Sequence, residues 1–134
     1  MKTCLIVEDS AIVREVAVRI ISDLGLDARE ADNAADAVEA CSADKPDVVL
    51  LDWDLPSMGA LDFLRNIGSF APDERPLIVL CATENDPQQF VLAKAAGAAH
   101  HILKPFDKDA LAAKLAEIGF IEGGDSIGQA ANRA

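Results

Sequence analysis

Three acids and a lysine, each closing an apolar run, are the residues of this chain that could do chemistry together. Glu8 and Asp9 follow Cys4-Leu5-Ile6-Val7, Asp52 ends Val48-Val49-Leu50-Leu51, and Lys104 follows Ile102-Leu103, with Pro105 fixing the backbone behind it. Converging carboxylates suit a hard divalent cation such as Mg²⁺, which takes one or two of them and keeps waters and phosphate oxygens. A carboxylate beside that cation can attack phosphorus and form an acyl phosphate. The metal and a lysine ammonium would neutralise the charge on the phosphoryl oxygens. Asp52 is the candidate nucleophile and Lys104 the candidate ammonium. Taken singly, Glu8 and Asp9 could merely cap a helix and Lys104 could be an exposed turn lysine; the joint pattern favours a phosphoryl site.

Convergence requires that the apolar runs be neighbouring strands of one sheet. Four successive large apolar residues before Asp52 read as a strand buried on both faces, which occurs inside parallel sheets. Strand and helix signals alternate five times, with strands near 2–8, 27–31, 47–52, 77–82 and 100–103. Helices fall near 10–24, 34–43, 58–68, 87–97 and 108–118. Ser10, Asp86 and Asp107 stand as N-caps, Pro87 in a first turn and Gly25 where a C-terminal glycine belongs. Ile12, Val13, Val16, Ile20, Ile21 and Leu24 form a helical stripe. Such alternation predicts an α/β fold of the flavodoxin-like type, a five-stranded parallel sheet of order 2-1-3-4-5 with helices on both faces. The carboxyl edge of that sheet is where such folds place a ligand crevice. One domain over 1–120 is expected, with a flexible tail over 121–134, rich in small and polar residues.

Composition excludes several classes. A formal net charge of −11, from 23 acids against 12 Lys and Arg, disfavours nonspecific binding to nucleic acid or an anionic membrane. No apolar stretch approaches the roughly 20 residues of a membrane span, and nothing resembles a signal peptide, so a cytoplasmic location is expected. The three cysteines, 4, 41 and 81, lack paired spacing and read as buried reduced thiols.

Glu8-Asp9, the segment Leu-Leu-Asp-Trp-Asp-Leu-Pro at 50–56 and Lys104-Pro105-Phe106 together resemble the receiver domain of two-component response regulators. The likeness covers about residues 2–120 and is closest to stand-alone CheY-like receivers. It implies that Asp52 accepts phosphate from a sensor histidine kinase or histidine phosphotransfer protein. It also implies Mg²⁺ held by Asp9, Asp52 and the main-chain carbonyl of Asp54, with Glu8 acting mainly through water, and a cis bond before Pro105. The resemblance makes the chain a switch rather than an enzyme, with at most self-phosphorylation from small donors and self-dephosphorylation. A downstream protein target, or a role as a phosphate sink, would follow, from a monomer or weak dimer. The surface of the fourth helix, fifth strand and fifth helix would select a target. The Ile12–Val13–Val16 side of the first helix would dock the phosphodonor.

The chain departs from that family where the signal would be read out. The usual Thr or Ser at the end of the fourth strand falls on Ala82 or Cys81 by spacing, and Thr83 stands one residue beyond. Either a register shift brings Thr83 inward or that step is weakened. The switch aromatic is His101, whose ring titrates near physiological pH; an edge-strand histidine without a switching role is the alternative. Gly59 comes one position earlier than the usual glycine, so the turn after Asp52 should differ. Trp53 should be a partly exposed reporter of the site. Asp52-Trp53-Asp54 also fits a fragment of the haloacid dehalogenase phosphatase motif, but Leu55-Pro56 follow where that motif has other residues. An FMN-binding flavodoxin is disfavoured because Glu8 and Asp9 would repel the phosphate.

Overall fold

A computed structural model describes residues 2–121. Five parallel strands form one sheet of order β2-β1-β3-β4-β5: β1 Thr3–Val7, β2 Asp27–Ala31, β3 Val48–Asp52, β4 Leu77–Ala82 and β5 His100–Leu103. The helices are α1 Ala11–Asp23, α2 Ala34–Asp44, α3 Gly59–Gly68, α4 Pro87–Ala95 and α5 Lys108–Glu117. The chain divides into two compact units, Met1–Lys104 with the sheet and α1 to α4, and a second from Pro105 that carries α5. Of the tail expected over 121–134, all but Ile121 lies outside the described residues.

The strand order follows from the residues. β1, β3 and β4 are the most apolar strands and occupy the three interior positions, where residues on both faces are buried. β2 carries Arg29 and Glu30, both exposed, and lies at one edge. β5, with its paired histidines, forms the other. Alternate side chains of the strands face opposite ways. Leu5, Val7, Val49, Leu51, Ile78 and Leu80 join Phe63, Leu64 and Ile67 of α3 and Ala37 and Cys41 of α2 in one core. Ala17, Ile20 and Ile21 of α1 are buried outside that core, and α1 packs on β1 and β2.

The stripe expected along α1 splits in two. Ile20 and Ile21 are buried, whereas Ile12 is 75% exposed and Val16 51% exposed. The stripe is thus covered toward the carboxyl end of α1 and left exposed over its first turns. Ser10 caps this helix, its hydroxyl accepting from the Val13 amide at 3.3 Å. Replacing Ser10 by alanine should cost about 1 kcal/mol in urea unfolding. The Ser10 main-chain N–H, which donates to Glu8 Oε2 at 3.0 Å, would be untouched. A larger loss would mean that the hydroxyl also supports the site.

The turn after β3 places its left-handed residues ahead of Gly59. Two short 3₁₀ turns, Pro56–Met58 and Pro72–Glu74, flank α3 and carry no periodic signal. The left-handed backbone falls on Ser57 (φ 56°) and Met58 (φ 58°), not on Gly59, which opens α3 at φ −59°. Gly59 serves close approach instead: a Cβ there would lie 3.2 Å from Leu55 Cβ.

Candidate functional site

The carboxyl edge of the sheet gathers the expected side chains. Glu8 extends β1 by one residue, its amide donating to the Ala31 carbonyl at 3.0 Å. Asp52, the last residue of β3, lies opposite Cys81 of β4. Lys104 extends β5, its amide donating to the Ala82 carbonyl at 2.8 Å. With three backbones held by the ladder, their side chains meet across β1, β3 and β5. Lys104 Nζ donates to Asp52 Oδ1 at 2.9 Å and to Glu8 Oε1 at 3.1 Å. Glu8 (5% exposed) and Asp52 (2% exposed) are buried, whereas Asp9 stands at the mouth, exposed.

Glu8, Asp9 and Asp52 each present a carboxylate oxygen, all within 4.8 Å of one another. An all-oxygen donor set of this kind fits a hard divalent cation. It is also under-neutralised: three carboxylates face one ammonium. Burial pushes the Glu8 carboxyl above its ordinary value, against the Ser10 amide and Lys104, and the charge of Asp52 adds to the rise. Burial pulls the Lys104 ammonium down, but hydrogen bonds and charges from Asp52 and Glu8 together outweigh it and hold Lys104 above the usual lysine value. The pocket therefore keeps its lysine charged and favours further positive charge.

Asp54 lies just outside this cluster. Its main-chain N–H donates to Asp52 Oδ1 at 3.0 Å, and its side chain accepts from Thr83 Oγ1 at 3.2 Å. Among the readout candidates, Ala82 closes β4 and is buried, as is Cys81, while Thr83 follows the strand and is exposed. Burial pushes the Cys81 thiol well up. His101, exposed on edge strand β5, stacks on Phe90 of α4, ring centroids 3.9 Å apart and planes 19° from parallel. Trp53 is half-buried and packs on the core, its amide donating to the Cys81 carbonyl at 2.8 Å.

One residue of the site escaped the sequence reading. Arg14 donates from Nη1 to the Glu8 carbonyl at 2.7 Å and from Nε to Glu30 Oε1 at 3.0 Å, bracing the β1–α1 junction against the end of β2. The available signal was an arginine interrupting the apolar face of α1 one turn after Ser10.

The geometry agrees with comparisons to known proteins. A family model described as the response regulator receiver domain matches residues 4–116. Chemotaxis protein CheY1 of Helicobacter pylori is 32% identical over 113 residues, spanning 83% of this chain and 91% of that protein. Chemotaxis protein CheY of Thermotoga maritima is 35% identical over 106 residues, spanning 78% and 87%. Among solved structures, chemotaxis response regulator CheY4 of Vibrio cholerae superposes with a TM-score of 0.81 at 24% identity, over 88% of this chain and 98% of that one. The BeF3-activated N-terminal receiver domain of Klebsiella pneumoniae RstA gives 0.74 at 26% identity, over 85% and 95%.

Proposed function

The chain belongs to the response regulator receiver domain family, and on that premise we propose that Asp52 accepts a phosphoryl group and that its phosphorylation controls binding to a protein partner. The donor would be a sensor histidine kinase or a histidine phosphotransfer protein. The observation that carries this reading is Lys104 Nζ, 2.9 Å from Asp52 Oδ1 within a wall of three carboxylates. Both Lys104 and the Asp54 amide donate to Oδ1, so on this reading Oδ2 is the attacking oxygen. The Oδ2–phosphorus bond forms as the phosphorus–nitrogen bond of the donor breaks, and the leaving imidazole keeps the electron pair. Lys104 then has phosphoryl oxygens within its swing and holds them electrostatically. Glu8, Asp9 and Asp52, with the Asp54 carbonyl, would hold Mg²⁺. When bound, it supplies positive charge between the attacking carboxylate and the phosphoryl oxygens.

Ile12, Val13 and Val16, exposed in the first turns of the helix that follows Glu8-Asp9, would form the donor's docking face. Phosphorylation adds roughly two negative charges to the pocket; loop closure on them would bias the α4 and β5 surface that a target reads. Among the described residues no helix is long and apolar enough to cross a membrane, and a cytoplasmic monomer or weak dimer is the proposed form.

The test is incubation with acetyl phosphate and Mg²⁺. Wild type should gain one acid-stable, alkali-labile phosphoryl group by mass, and Asp52→Asn should gain none. Steady turnover of a phosphate monoester, without a stoichiometric adduct, would instead support a phosphatase. An unmodified wild type would overturn the reading.

A further inference from the structure

Residues 81 to 83, at the carboxyl end of β4, differ in what they can offer the acidic pocket. Cys81 lies opposite Asp52 in the ladder, but its thiol turns back to the Val79 carbonyl at 3.9 Å. Ala82 ends the strand with a buried methyl group. Thr83 carries the first hydroxyl, and that hydroxyl donates to Asp54 Oδ2 at 3.2 Å, across 29 residues of chain. Asp54 in turn donates its main-chain N–H to Asp52 Oδ1 at 3.0 Å. Two hydrogen bonds in series thus lead from Asp52 through Asp54 to the β4–α4 loop.

We propose, resting on the phosphoacceptor reading above, that the Thr83–Asp54 hydrogen bond is a latch. It ties the β4–α4 loop to the β3–α3 loop while Asp52 is a free carboxylate, and it opens when Asp52 is phosphorylated. Thr83 is a positioning residue here, acting through Asp54 and not on the reacting atoms. Two consequences of the phosphoryl group drive the opening. With phosphorus on Oδ2, Oδ1 becomes the carbonyl oxygen of a mixed anhydride; it loses its share of negative charge and with it the charge-assisted bond to the Asp54 amide. The new phosphoryl charge also repels the Asp54 carboxylate. Both move Asp54 off Thr83, and the loop leading into α4 is freed at its first residue. A chain whose fourth strand ends in alanine would thereby transmit its state by releasing a hydroxyl, not by drawing one onto the phosphoryl group.

Amide resonances of Glu84 and Asn85, recorded on the full chain with Mg²⁺ before and after beryllofluoride, test this. In wild type they should move on beryllofluoride binding. Thr83→Val keeps the shape and removes the donor; its resonances should start near the wild-type bound positions and move little further. Asp54→Ala should shift them the same way, and the double variant no further than either single, as expected for one shared bond. Thr83→Ser should respond like wild type. Resonances of Thr83→Val that match wild type in both states, or additive effects of the two single variants, would overturn the latch alone. A wild type that binds no beryllofluoride, judged by Trp53 fluorescence and the fluorine signal of bound ligand, would overturn the phosphoacceptor reading and the latch with it.

Discussion

Lys104→Met should cost the protein about 3 kcal/mol of unfolding free energy at neutral pH without added cation, because it strips two buried carboxylates of their shared partner. The same substitution should slow acetyl phosphate labelling of Asp52 on the order of 100-fold, the usual cost of losing one preorganised charge donor. The stability loss should depend on pH in a definite direction. Glu8 is already held above its ordinary value by burial, and losing Lys104 removes two influences that pull it down. Its folded value then stands further above its unfolded one, so the folded state holds more protons between the two. Stability in that window falls as pH rises. The deficit of Lys104→Met should therefore be greatest at neutral pH and shrink as pH falls toward the ordinary glutamate range. Mg²⁺ should restore part of it at neutral pH, by replacing the missing positive charge. Urea titrations followed by Trp53 fluorescence at several pH values would read this, and a deficit that is the same at all of them would count against the coupling to Glu8.

Phe63→Ala should destabilise the first unit by about 4 kcal/mol, the usual range for emptying a buried phenylalanine site. Phe63 is 0% exposed and is the largest of the fully buried side chains. It belongs to the core that joins α3 to Val49 and Leu51 of β3, the strand that ends in Asp52. A loss of that size is a large share of the 5–15 kcal/mol typical of a domain. Phe63→Leu, which keeps much of the volume, should lose only roughly 1 kcal/mol. Thermal and urea unfolding of the two variants, measured side by side, would show how the loss scales with the volume removed. Equal losses would show that the ring's volume is not what counts.

The contrast between these residues bears on what could be read before any coordinates. The run ending in Asp52 was legible because a strand buried on both faces tolerates no polar residue except at its end. Its observed bounds, Val48–Asp52, depart from the expected 47–52 by one residue. Glu8, Asp9, Asp52 and Lys104 were legible as a set because each directly follows or closes such a run, and parallel pairing then brings the ends together. The Pro56–Met58 turn was not legible, because its left-handed residues are serine and methionine, types that carry no signal for that conformation. Nor was the division of the α1 stripe: periodicity marks an apolar face but not which part of it the fold covers. Thr83 reaching Asp54, across 29 residues of chain, depends on where two loops lie relative to each other. No local pattern encodes that distance.

The three cysteines carry a consequence of another kind. Each is buried, and burial pushes Cys4 up to about 12 and Cys41 up to about 11, with Cys81 higher still. The thiolate is the form that attacks peroxide and alkylating reagents, and in the folded protein that form is both scarce and out of reach. The sulfur of Cys81, directly across the ladder from Asp52, is thus chemically mute in the folded protein. On the proposed reading, this burial would insulate the signal from the redox state of its surroundings. It also makes thiol labelling a clock, since a cysteine reagent added to this protein would count the moments at which the molecule opens.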